Sequence, residues 1–279
     1  MPLIVPGGSV WYVGTTLYDF AARKERPLRC GTTDIPLTNE QYSQRFTVGD
    51  VFLDDREIAN TAYAKCVEAG GCAGMPADED PYVEIVGPWT EPSLADFPAM
   101  VSQSEGEAYC AWRGGRLPTA LELARAERSS ELHTSIPELE KQAMDCRESG
   151  WLSSDACSLL QKDSVNYPPQ LPVGSVSKDV GRFGHVGLFG GSCEWTATLA
   201  PSFDSRNGIE LCEYPRDAPG PTSFGSDTSL RLFHCSGALA VWGYEVGLLP
   251  GYLWVAPTVM GPSNEAHGLR CAYDPVYEQ

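Results

Sequence analysis

Ten cysteines and four histidines are the residues of this chain with the widest chemical reach, as nucleophiles, metal ligands or disulfide partners. The cysteines are Cys30, Cys66, Cys72, Cys110, Cys146, Cys157, Cys193, Cys212, Cys235 and Cys271. None forms a Cys-x-x-Cys pair, and an even number without that spacing points to a disulfide framework in an oxidising compartment rather than to a zinc site or cytosolic thiols. His133, His185, His234 and His267 are scattered, with no i,i+4 or short-loop pairing of the kind metal ligands use, and they read as surface or supporting residues. His234 stands beside Cys235, and an imidazole can activate a thiol. Neighbours on an extended strand face opposite sides, however, so the two would not meet. Cys235 is expected instead in a structural disulfide with Cys193 or Cys212. No Gly-x-Ser-x-Gly elbow occurs in a strand–turn–helix setting, so a serine hydrolase has no support.

The elements that must carry these residues are local and short. Ser102 and Glu105 form an N-terminal capping box ahead of an apolar-rich run, because hydroxyl and carboxylate satisfy amide N–H groups that a first helical turn leaves orphaned. Gly114-Gly115 ends that helix, and Thr119 with Glu122 repeats the box for a second helix to about Arg128. Upstream, Asn60 is expected to cap a short helix with Tyr63, Cys66 and Val67 on one face, ended by Gly70-Gly71. A Cys66–Cys72 bridge would staple that helix to its exit loop. Met1–Val5, Ser9–Val13 and Phe46–Leu53 are strand-like. Residues 17–45, 73–100 and 197–230 read as loops. Helical patches near Pro137–Cys146 and Ala156–Gln161 suggest a Cys146–Cys157 bridge between them. From Leu230 to Ala272 runs an aromatic and aliphatic stretch including Trp242, Tyr244, Tyr252 and Trp254, read either as two core strands joined by a Gly/Pro turn or as an exposed binding rim.

With 279 residues, 42% of them hydrophobic, the chain can build a real core. Its 28 Gly and 22 Pro, spread throughout, favour an irregular α+β fold over a helical bundle or a doubly wound sheet. A formal charge of −17 repels phosphate backbones and argues against nucleic acid and anionic membranes as partners. No apolar run approaches the ~20 residues of a membrane helix. Met1–Val5 is too short for a signal peptide, which is expected to have been removed or to lie upstream.

The run from Ala108 to Thr119, Tyr-Cys-x-Trp followed by Arg-Leu-Pro-Thr, resembles a signature of the formylglycine-generating-enzyme-like (sulfatase-modifying factor) domain. Pro6–Ser9, Phe52–Asn60 leading into Tyr63, Gly190 through Thr196, and Gly268–Ala272 match further stretches of that family in order and spacing. The resemblance covers nearly the whole chain, residues 1–279, as one domain. It implies the irregular, loop-rich, disulfide-stapled variant of the C-type lectin fold, and a Cys110–Cys271 bridge. It also implies a calcium site on the carbonyls of Phe189, Gly190 and Ser192 with the carboxylate of Glu194, which suits a hard cation. Two departures stand in that loop, Gly191 for the usual Asn and Cys193 for the usual first Trp.

Enzymes of that family oxidise a substrate cysteine with dioxygen on copper held by two thiolates about five residues apart, a donor pair suited to Cu(I). In the corresponding region Cys235 is followed by no cysteine before Cys271. One thiolate cannot supply that site, so no copper is expected. The expected function is therefore an extracytoplasmic, non-catalytic binding or scaffold domain, whether secreted, periplasmic or at the cell surface. It would engage a protein or glycan through Trp242, Tyr244, Tyr252 and Trp254. The alternative is a divergent oxidoreductase using Cys235 or another metal.

Overall fold

The structure is a computed structural model that describes residues 1–13, 17–19, 24–26, 43–74, 91–128, 172–175, 180–188, 192, 194–199, 218–219, 230–235, 252–257 and 267–275. Among these, one antiparallel sheet places β6 (Val51–Asp54) between β1 (Pro2–Val5) and β11 (Ala272–Tyr273), with Leu3 opposite Leu53 and Leu53 opposite Ala272. Side chains alternate across a strand. Val5, Val51, Leu53 and Ala272 thus form one buried face, while Ile4 and Phe52 share a register position on the other and stay exposed.

A second sheet sets β5 (Ser43–Val48) between β2 (Gly8–Val13) and, in parallel, β8 (Ala218–Pro219). A third has the order β10 (Tyr252–Pro257), β9 (Leu230–Cys235), β7 (Glu194–Leu199), all antiparallel. A small hairpin pairs β3 (Leu17–Asp19) with β4 (Lys24–Arg26). The continuous strand expected over Phe46–Leu53 is in fact two strands in different sheets. Gly49-Asp50 forms the break, and the Asp50 carboxylate accepts from the Gly7 amide at 2.6 Å.

Three α-helices pack on these sheets among the described residues: α1 (Asn60–Glu68), α2 (Gln103–Trp112) and α3 (Ala120–Arg128). The N-cap of α1 is Ala59 without a side-chain bond, so Asn60 is not the cap its sequence context suggested. Its amide group instead donates to the Leu94 carbonyl at 2.9 Å, tying the helix to the segment before α2. That segment is not surface throughout, since Ala99 and Val101 are buried.

At α2 the Glu105 amide donates to Ser102 Oγ (3.4 Å) and the Ser102 amide to Glu105 Oε2 (2.8 Å), a reciprocal capping box. Thr119 and Glu122 repeat it at α3 at 2.7 and 3.2 Å. Thr198 Oγ1 of β7 takes a further first-turn amide, that of Ala120, at 2.9 Å. Between these helices Gly115 passes so close to the last strand that a Cβ would lie 2.6 Å from the Ala272 carbonyl oxygen, a distance no side chain tolerates.

Residues 267–273 run through the middle of the assembly. His267 bridges Val101, Gly268 bridges Glu194, and Ala272 bridges Arg116 as well as Leu53. Backbone amides of Asp54 and Ile58 donate to the Cys271 and Leu269 carbonyls, both at 2.9 Å. The main core cluster closes over this segment: Ile58, Tyr63, Cys66, Val101, Tyr109, Cys110, Leu117 and Trp195 pack around Leu269 and Cys271. Two disulfides are seen among the described cysteines, Cys110–Cys271 across 161 positions and Cys66–Cys72 across 6.

Candidate functional site

The densest group of buried charge lies where β6, β7 and the 267–273 segment meet. Arg270 is fully buried, and its Nε donates to both carboxylate oxygens of Glu194 at 2.8 and 2.9 Å, with Nη2 2.6 Å from Oε1. Remaining guanidinium donors reach the Asp54 and Val186 carbonyls. This fork geometry is what makes arginine the usual partner of a buried carboxylate. Glu57, 5% exposed, is the second carboxylate of the group, and the Ser192 amide donates to its Oε1 at 2.8 Å.

Were both carboxylates ionised, the single guanidinium would leave one negative charge uncompensated in a dry interior, which is costly. Burial pushes the Glu57 carboxyl up to about 8, the neighbouring Glu194 adds to the rise, and Arg270 opposes it. His185, also fully buried, is pushed down to about 4 by burial and then by the Arg270 charge.

Glu194 and Ser192, two of the four residues expected to bind calcium, are thus at this cluster, whereas Phe189 and Gly190 lie outside the described residues. Ionised carboxylates suit a hard cation, but both Glu194 oxygens already accept from Arg270, and Glu57 would have to give up its proton to add its charge. Among the described residues no group of three or more His, Cys, Asp or Glu stands ready as a metal cage, so carbonyls would have to supply most of the donors. The sequence reading gave Glu57 and Arg270 no role although both stand in stretches matched to the family. Glu57 ends an Asp-Asp-Arg-Glu run that looks solvated, and only the fold separates its buried members, Asp54 and Glu57, from exposed Arg56.

A second cluster adjoins the first. Asp54, 3% exposed, receives Arg113 Nη1 and Nη2 at 3.0 and 3.2 Å and the Cys271 amide at 3.1 Å. The Arg113 guanidinium lies over the rings of Tyr109 and Tyr273, 5.9 and 5.6 Å from their centroids. A third pair is fully internal: His234 Nε2 of β9 is 3.2 Å from Glu127 Oε2 of α3, with side chains 2% and 0% exposed. Of the surface or supporting places expected for the histidines, His185 and His234 do not take the surface one: both are buried, because each is enclosed by elements distant in sequence. His267 packs edge-on against Trp195 at 4.7 Å, and His133 lies outside the described residues.

Of the expected partner-binding residues, Tyr252 and Trp254 stand on β10, opposite Cys235 and Phe233. Trp242 and Tyr244 lie outside the described residues, as do Cys30, Cys146, Cys157, Cys193 and Cys212. No described helix is long and apolar enough to cross a membrane.

A family model described as "Sulfatase-modifying factor enzyme 1-like domain" matches residues 3–216. No curated protein matches the chain. Among solved structures, that of PvdO from Pseudomonas aeruginosa is similar over 97% of this chain and 93% of its own, with 16% sequence identity and a TM-score of 0.47.

Proposed function

Since the chain belongs to the family of sulfatase-modifying factor enzyme 1-like domains, we propose that it is an extracytoplasmic, non-catalytic binding or scaffold domain spanning residues 1–279. Its fold is the irregular α+β, loop-rich formylglycine-generating-enzyme variant of the C-type lectin fold. The observation that carries the proposal is the state of one sulfur. From Leu230 onward the sequence holds two cysteines, Cys235 and Cys271. Cys271 is bonded to Cys110 and fully buried. That leaves Cys235 as the only other cysteine of that stretch, and a linear two-thiolate Cu(I) site needs a pair.

A protein or glycan partner is the ligand class this reading assigns. The support is the aromatic content of the stretch holding Trp242, Tyr244, Tyr252 and Trp254, residue types that bury large area at little rotamer cost. The disulfides favour a compartment outside the cytoplasm.

Calcium completes the proposal. Glu194 with the carbonyls of Phe189, Gly190 and Ser192 would hold it, and Glu57 would add its charge. Bound there, the ion supplies compensation for buried carboxylate and no redox chemistry.

The test exposes the protein to a cysteine-containing peptide, copper and oxygen. No turnover is expected, and copper analysis after dialysis should give none bound. Turnover favours the divergent oxidoreductase instead. In parallel, calcium should raise the melting temperature relative to chelator, and Glu194→Gln should lose most of that rise. Identical melting curves would remove calcium from the proposal.

A further inference from the structure

We infer that the Cys66–Cys72 bridge is a thiol–disulfide exchange site for dithiol reductants, and that opening it releases the indole of Trp112 while Cys110–Cys271 stays closed. The two bridges sit in different surroundings. Cys110 and Cys271 are both 0% exposed within the main core cluster. Cys66 is buried too, but Cys72 is partly exposed, on a turn whose flanking residues Gly70, Ala73 and Gly74 face solvent. Of the four bridged residues Cys72 is thus the one that is not fully enclosed, although it packs in part against the core, and access to the attacked sulfur is one of the factors that set exchange rates.

The exchange balances with a dithiol as reductant. Its thiolate forms a new bond to Cys72 Sγ, and Cys66 leaves as thiolate and takes up a proton. The reductant's second thiol then attacks its own sulfur of the mixed disulfide and frees Cys72. The dithiol ends as a disulfide, and the protein gains two electrons and two protons as a pair of thiols.

The fold around the bridge has other ties. Gly71 and Cys72 amides donate to the Cys66 carbonyl at 2.9 and 3.4 Å, and the Tyr63 hydroxyl donates to the Ala73 carbonyl at 3.1 Å. Helix α1 can therefore survive reduction. The turn's position is more sensitive, because it is the seat of Trp112. A Cβ on Gly71 would lie 2.3 Å from Trp112 Cδ1, so the indole rests directly on that backbone, one residue from the bridge. Trp112 is 43% exposed and its ring lies 5.8 Å from that of Tyr109. The bridge thereby sets the pose of an exposed indole at the end of α2.

The test titrates the folded protein with dithiothreitol, quenches with acid, alkylates the thiols and maps the labelled peptides, with tryptophan emission followed in the unmodified protein and in Trp112→Phe. Cys66 and Cys72 should label together at reductant concentrations at least ~10-fold below those that label Cys110 and Cys271, with unchanged far-ultraviolet circular dichroism. An emission change with the same midpoint should appear in the unmodified protein and vanish in Trp112→Phe. The double variant Cys66→Ser/Cys72→Ser should show the reduced protein's emission without reductant. Labelling of both bridges at one concentration overturns the inference, and so does labelling of Cys66 and Cys72 with no Trp112-dependent change.

Discussion

Replacing Glu57 with glutamine tests the surplus buried charge directly. In the folded protein this carboxyl is raised from its ordinary 4.5 to about 8, chiefly by burial and then by Glu194. Each tenfold change in proton affinity is worth ~1.4 kcal/mol, so the displacement corresponds to roughly 3–5 kcal/mol. The sign follows from linkage: the folded state holds the proton more tightly than the unfolded chain, so stability is fully present below pH 4.5 and is lost as pH rises through about 8. Glutamine keeps the shape and an acceptor for the Ser192 amide but never ionises.

Urea unfolding of both proteins in chelator, from pH 4 to 8.5, should give nearly equal stabilities at the acid end. The variant should then gain relative to wild type by roughly 3–5 kcal/mol near pH 8. Adding calcium should narrow the gap from the wild-type side, since a bound cation favours the ionised carboxylate. If Glu57→Gln is less stable than wild type at pH 8 in chelator, or the difference does not change with pH, the charge is already compensated in the fold and the reasoning fails.

Other outcomes follow from the same structure. Arg270→Met should destabilise by about 3–5 kcal/mol by leaving Glu194 buried and unpaired; a loss under ~1 kcal/mol in urea unfolding would contradict the pairing. His185, held neutral with its pKa lowered to about 4, should erode stability as pH falls from 6.5 toward 4. An imidazole resonance titrating at its ordinary value by nuclear magnetic resonance would refute that. Loss of the Cys110–Cys271 bridge in a Cys110→Ser/Cys271→Ser variant should cost about 5 kcal/mol on the chain-entropy account, read as a fall in calorimetric melting temperature. Ser102→Ala should cost ~1 kcal/mol, with the loss of α2's capping box visible as faster amide exchange in its first turn.

Features whose partners lie within a few residues were legible in the sequence. Both capping boxes and the ends of α2 and α3 follow from residues three apart. What long-range pairing decides was not legible. Phe46–Leu53 alternates like one strand, and its division depends on Val51–Asp54 finding β1 and β11 while Ser43–Val48 finds β2. Asn60 has the composition of a cap, yet its partner is the Leu94 carbonyl, 34 residues on. His234 meets Glu127 only because α3 packs across β9, and Glu57 is marked as buried by nothing in its own neighbourhood. The family stretches found the region of the charge cluster; the balance of charge within it needed the fold.

The segment 267–273 bonds to β6, to Val101 ahead of α2, to the start of β7 and to Arg116, and its sulfur holds α2. During vectorial synthesis all of these elements emerge first and wait, with β6 lacking one neighbour and Cys110 lacking its partner until 161 further residues have followed. Earlier cysteines are meanwhile available to the Cys110 thiol, and a wrong pairing made then must be undone by isomerisation, which takes seconds to hours. Production of this protein should therefore depend on a disulfide isomerase more steeply than its final stability suggests, and premature termination just upstream of Gly268 should yield aggregation-prone chains with an open β6 edge.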